Sequence, residues 1–127
     1  MKFLCLGYFD VEAMNALPKP EIDALMGECW PHVQTLYRSG RVLVEAGLSR
    51  ETRRLRRVKG KVAAVDGPYT ETKEVLGSAF LIEADDMEDA ARVASLHPTT
   101  QVSAGEGLGW VLEIRPVHYF EMPVPKS

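Results

Sequence analysis

Residues 66–94 read DGPYTETKEVLGSAFLIEADDMEDAARVA, and this run sets the fold class. It opens on a turn: Asp66 can accept N–H bonds within it, Gly67 tolerates positive φ, and Pro68 fixes the chain. Residues 70–74 then place two hydroxyls, two carboxylates and an ammonium side by side. Gly77–Ala84 is short and apolar enough for a strand. Asp85 and Glu88 stand at capping-box spacing ahead of a helix over Met87–Leu96, which Pro98 ends. The unit is therefore turn, strand, helix.

Working outward, Thr52–Val58 and Lys61–Val65 flank Lys59-Gly60, the pattern of a β-hairpin. Val42–Leu48 reads as a strand. Glu21–Ser39 carries Ile22, Leu25, Met26, Cys29, Val33, Leu36 and Tyr37 at helical spacing, with Gly40 as its stop. Pro31 removes a backbone donor inside that helix and crowds the Gly27 carbonyl, so a kink is expected. Residues 10–20 read as a loop. Lys2–Phe9 is apolar on both faces, as a central strand is. Residues 99–109 read as a loop before a last strand, Trp110–Val117, which sets Trp110, Leu112 and Ile114 against Val111, Glu113 and Arg115.

The order β, long α, β, hairpin, β, α, β gives an α+β sandwich of ferredoxin-like type with an inserted β-hairpin. One domain is expected over residues 1–117, with 118–127 as a C-terminal tail whose last stretch, Pro123–Ser127, is loose. Two helices cover one sheet face. If the other face is apolar a second sheet should cover it, so a homodimer is expected.

The chain has 127 residues, 46% apolar and 26% charged, ordinary for one globular domain with a real core. A formal charge of −3 disfavours a general nucleic-acid binder. No apolar run approaches the ~20 residues that span a bilayer, and MKFLCLGYFD has neither an adequate h-region nor a cleavage site. Cys5 and Cys29 are too few for a disulfide framework, which points to the cytoplasm.

Four stretches carry a family resemblance: KFLCLGYFD, SGRVLVEAGL, the block at 66–94, and VLEIRPV. Together they make the chain similar to the YCII-related, DGPF-domain proteins, with Tyr69 in place of the usual Phe. The resemblance implies a dimeric α+β barrel of ferredoxin-like subunits, with a cleft between sheet and helices. It also implies a genomic association with extracytoplasmic-function sigma factors. A catalytic role has been proposed for the wider family from a helix-borne His and an Asp-Pro after the second helix. Here the latter position reads His97-Pro98, and His32 does not match the family spacing to Gly40, so that dyad is not carried over.

The DGPYTETKE loop holds the leading candidate chemistry. Thr70, Thr72 and Lys73 can hold an anion with Tyr69 beside them, while Glu71 or Asp66 can act as a general acid/base once desolvated. The alternative is a rigid turn with a solvated rim. Glu113 and Arg115 share a strand face, so Arg115 is either an anion binder oriented by Glu113 or half of an architectural ion pair. The basic hairpin Arg50, Arg53, Arg54, Arg56, Arg57, Lys59 and Lys61 reads first as edge protection, then as a surface for an acidic partner.

His32, His97 and His118 lie on different elements and form no metal motif; His97 is placed to satisfy carbonyls at a helix C-terminus. Gly105-x-Gly107-x-Gly109 precedes a strand, the wrong context for a dinucleotide loop, and reads as a flexible connection. Tyr8 can lend its hydroxyl or its ring to the cleft.

These readings favour a cytoplasmic homodimer whose cleft binds a small anionic molecule, with no cofactor implied and no reaction assignable. An enzyme using Glu71 or Asp66 is the second expectation. A regulatory protein associated with a sigma factor is the third, and it rests on the resemblance alone.

Overall fold

The computed structural model describes residues 1–66 and 73–125, save the side chains of Val65 and Asp66. Residues 67–72 of the DGPY loop, and with them Tyr69, Thr70, Glu71 and Thr72, lie outside the described residues. The chain is α+β. Strand β1 (Lys2–Asp10) leads through α1 (Val11–Asn15) and α2 (Lys19–Arg38) to β2 (Val42–Gly47). The hairpin β3 (Arg53–Val58) and β4 (Lys61–Asp66) precedes β5 (Glu74–Glu83). Helices α3 (Met87–Ala94) and α4 (Pro98–Gln101) and a 3₁₀ turn (Ser103–Glu106) then lead to β6 (Val111–Pro116).

The main sheet runs β2-β5-β1-β6, and β1–β5, β1–β6 and β2–β5 all pair antiparallel. β1 lies inside the sheet because alternate residues on both its faces are apolar. Its register puts Phe3 opposite Ile82 and Cys5 opposite Phe80, and these four side chains meet Leu36 of α2 and Ala90, Val93 and Ala94 of α3. The main core is thus a period-2 stripe from two strands against period-3.6 stripes from two helices. A second cluster, Met14, Leu25, Val102 and Leu108, gathers Phe9 and Trp110 at one end of the sheet.

Several boundaries differ from those expected. Residues 10–20 hold α1, because the Asp10 carboxylate accepts the N–H groups of Glu12 and Ala13. Helix α2 starts at Lys19, two residues before the expected Glu21, and as expected it runs through Pro31, an exposed residue. The α3 cap sits one residue later than the Asp85/Glu88 box: Asp86 accepts the Asp89 N–H, while Asp89 reaches back to the Asp85 N–H. Arg41 and Arg92 also hold Asp89, at 3.0 and 2.7 Å. Backbone donation and Arg41 together hold its carboxyl down at about 2. Pro98 ends no helix; it opens α4 at a position where its missing N–H costs nothing.

The expected loop at 99–109 is built structure. Gly105 sits against the Trp110 ring, and Gly109 (φ +67°) lies against Asp10, closer than a side chain would permit. The Gly-x-Gly-x-Gly run therefore joins two packed elements. Where the chain leaves β6, the Val117 N–H donates to the Lys2 carbonyl at 2.9 Å, and the Lys2 ammonium stands 5.0 Å from the Phe120 ring centre.

Register places Leu4, Leu6, Val44, Ala79 and Leu81 on the sheet face away from the helices, together with Glu113 and Arg115. Among the described residues, no helix is long and apolar enough to cross a membrane.

Candidate functional site

A cavity of about 600 Å³ opens between α2 and one end of the sheet. Its origin is a row of small residues. Across β2, β5 and β1, Gly47, Ser78 and Gly7 stand opposite one another, so three adjacent strands present almost no side chain at that level. A Cβ on Gly7 would come within 2.4 Å of Ser78 Oγ and 3.5 Å of Thr99 Cγ2, so the floor has no room for one without movement. One row deeper, Cys5 and Phe80 fill the core and Glu45 turns the same way from β2. Helix α2 supplies the roof with Met26, Cys29 and Val33. Met14, Phe9, Leu48 and Trp110 complete walls that are mainly apolar.

Polar groups converge at one side. His97 is buried and lies flat on Phe80, ring centres 4.7 Å apart and 11° from parallel. Its Nδ1 accepts the Thr99 N–H at 3.1 Å and lies 2.9 Å from Thr99 Oγ1. A nitrogen that accepts a backbone N–H carries no proton, so the neutral ring carries its proton on Nε2. That nitrogen faces Glu45 Oε2 at 3.6 Å. The Tyr37 hydroxyl donates to the other oxygen of the same carboxylate.

Burial pulls the His97 pKa below its ordinary value, with the Glu45 charge acting the other way. Tyr37 is pushed up, chiefly because its proton is held by Glu45. One carboxylate oxygen thus accepts the Tyr37 hydroxyl, while His97 Nε2 stands 3.6 Å from the other, beyond hydrogen-bond reach. At the rim, Arg50 lies 5.5 Å from the Phe9 ring centre and donates to Asn15 Oδ1.

Two thiols differ in reach. Cys29 lines the cavity and is raised by burial and then by Glu28. Cys5 lies in the core, where burial pushes it up to about 12.

Of the residues singled out from sequence, Tyr69, Thr70, Glu71 and Thr72 lie outside the described residues. Asp66 ends β4 opposite Arg53. Lys73 is exposed, its ammonium 3.6 Å from a Glu12 carboxylate oxygen and its carbonyl accepting the Val11 N–H. Glu113 and Arg115 are exposed on the outer sheet face. Among the described residues, Lys73, Glu113 and Arg115 do not line the cavity. Tyr8 does. His97, expected to serve carbonyls at the end of one helix, instead accepts at the start of the next.

Neither Glu45 nor Ser78 stands out in the sequence, and Tyr37 shows there only as part of the helical stripe of α2. A signal was there: Gly7, Gly47 and Gly77 interrupt three strand patterns, and glycine within a strand marks close approach or a missing side chain.

This hollowed end of an α+β sheet coincides with a recognised domain. A family model for the YCII-related domain matches residues 1–118. The chain belongs to the YCII-related family. No curated protein matches it. In this YCII-related protein the position where the family resemblance leads one to expect Asp-Pro reads His97-Pro98, and that histidine stands in the cavity wall.

Proposed function

We propose that this YCII-related protein is a cytoplasmic homodimer of ferredoxin-like subunits whose cavity binds a small molecule with an apolar body and an anionic end. The carrying observation is the cavity itself: about 600 Å³, walled mainly by apolar side chains, with a few polar groups converging at one side. Arg50 at the rim suits a carboxylate or phosphate, and the Ser78 and Thr99 hydroxyls suit its neighbouring polar atoms. The uncovered sheet face supports the dimer, because Val44 is 59% exposed and Val111 47% exposed beside Leu4 and Leu6. Closing two such sheets face to face gives the dimeric barrel.

Asp66, Tyr69, Thr70, Glu71 and Lys73 remain ligand-contact candidates on sequence grounds, as do Glu113 and Arg115. The sigma-factor association has only the resemblance behind it.

A second reading is favoured by one arrangement. Glu45, held by Tyr37 and facing His97, is a carboxylate at a partly desolvated cavity wall, the environment of a general acid/base. On that reading Glu45→Gln loses turnover and stays folded.

Native mass spectrometry of freshly purified protein tests the main reading by reporting assembly and retained ligand together. A dimer with a discrete adduct is expected. The adduct is expected to disappear in Val33→Trp, which fills the cavity, and to weaken in Arg50→Ala. An adduct that survives Val33→Trp puts the ligand elsewhere, and a monomer removes the dimer.

A further inference from the structure

The β3–β4 hairpin has little support of its own. Among the described residues its ladder joins only its own two strands, from Arg53↔Asp66 to Val58↔Lys61. The turn is well made: Lys59 and Gly60 take φ +50° and +78°, the left-handed pair that closes a tight hairpin with the right twist. A two-stranded hairpin is nonetheless marginal in water unless something covers a face. Register puts Leu55, Arg57, Val62 and Ala64 on one face, with Leu55 opposite Ala64 and Val62 opposite Arg57. On that face Leu55 is 68% exposed and Val62 72% exposed. The arm thus ends in an apolar pair with basic side chains around it.

Charge says what covers it. From Arg50 to Lys61 the chain carries seven basic residues and one acidic, a net of +6, while the whole chain is −3, leaving −9 on the rest. We propose that the hairpin is an arm that lays its Leu55–Val62 face on a second copy of this chain, its basic residues meeting the acidic body. No aromatic residue is interleaved for stacking on bases, which a single-stranded nucleic-acid surface would need.

The arm springs from Leu48, Ser49 and Arg50, which form the cavity rim. Docking it on the second copy therefore fixes the rim, so the ligand site is complete only in the dimer. This rests on the homodimer reading above.

The test uses the full chain. Equal amounts of ¹⁴N and ¹⁵N protein are mixed and treated with a zero-length carbodiimide. Lys59 or Lys61 joined to carboxylates in mixed-isotope pairs is the expected result. In sedimentation equilibrium, Leu55→Glu with Val62→Glu is expected to raise the dimer Kd by about tenfold or more, roughly the loss of one well-buried apolar contact.

A dimer with unchanged Kd in that variant overturns the arm and leaves the sheet dimer standing. So do same-isotope cross-links only. If the double variant does not fold, the cross-linking of wild-type protein still decides. A monomeric wild type sinks both readings. Binding of short duplex DNA at physiological salt, lost in Lys59→Glu with Lys61→Glu, would assign the surface to nucleic acid instead.

Discussion

Acidification should destabilise this protein through His97, and the effect can be isolated. The ring is buried against Phe80, and desolvation holds its pKa below the ordinary value near 6.5. Above pH ~6.5 neither folded nor unfolded chain protonates this group, so its contribution is constant. Below that, the unfolded chain takes up a proton that the native ring refuses. Stability therefore falls as pH drops from about 6.5 toward the depressed native pKa, and the loss levels off below it. Within this window one proton is worth up to about 1.4 kcal/mol per pH unit.

The comparison is His97→Asn. Asparagine is a good N-cap and can still accept the Thr99 N–H, but it does not titrate. Loss of the stack on Phe80 should cost the variant about 0.5–1.5 kcal/mol at every pH, in addition to lost apolar burial. The offset is constant; the slope is not. Urea denaturation of both proteins from pH 8 to pH 5 should show the wild type losing its advantage below pH 6.5. His32 and His118 are present in both and cancel. Glu45→Gln removes the charge that opposes the shift, so the wild-type slope should then extend to lower pH. A stability difference between wild type and His97→Asn that stays flat from pH 8 to 5 would refute the reasoning, because a ring held neutral by burial must produce the slope.

Two further outcomes concern the cavity. In native protein at mildly alkaline pH, maleimide should add slowly to Cys29 and not to Cys5, whose thiol sits in the core and is pushed up to about 12. Intact-mass analysis should show one adduct per chain and two after unfolding; two in the native state would contradict the core placement. Gly7→Ala should cost about 1–3 kcal/mol by overpacking, since its Cβ would meet Ser78 Oγ at 2.4 Å. Ser78→Ala in the same chain should restore much of that loss, and strict additivity of the two substitutions would show that they do not touch.

Some of this molecule was legible from local pattern. The strand at Lys2–Phe9 announced its interior position because both its faces are apolar, and Lys59-Gly60 announced the hairpin because Gly60 accepts positive φ cheaply. The helical stripe from Ile22 to Leu36 gave α2. Boundaries were less legible where neighbouring residues compete for one role. Asp85, Asp86, Glu88 and Asp89 all suit a cap, and the choice went to Asp86 with Asp89 because Arg41, from before β2, reaches the Asp89 carboxylate.

The site was a different matter. The candidate chemistry at 66–74 is contiguous in sequence, and residues 67–72 of it lie outside the described residues. The cavity is contiguous only in space: its floor is Gly7, Ser78 and Gly47 from three strands, and its carboxylate, Glu45, meets an imidazole more than fifty residues away. Sequence alone settled the α+β class, the hairpin and its turn, and the family, since periodicity, turn chemistry and motif are properties of neighbouring residues. Which glycines would line up to leave a hollow, which face Glu113 and Arg115 would take, and which histidine nitrogen would be tied down were settled by strand register and burial, which exist only once distant segments pair.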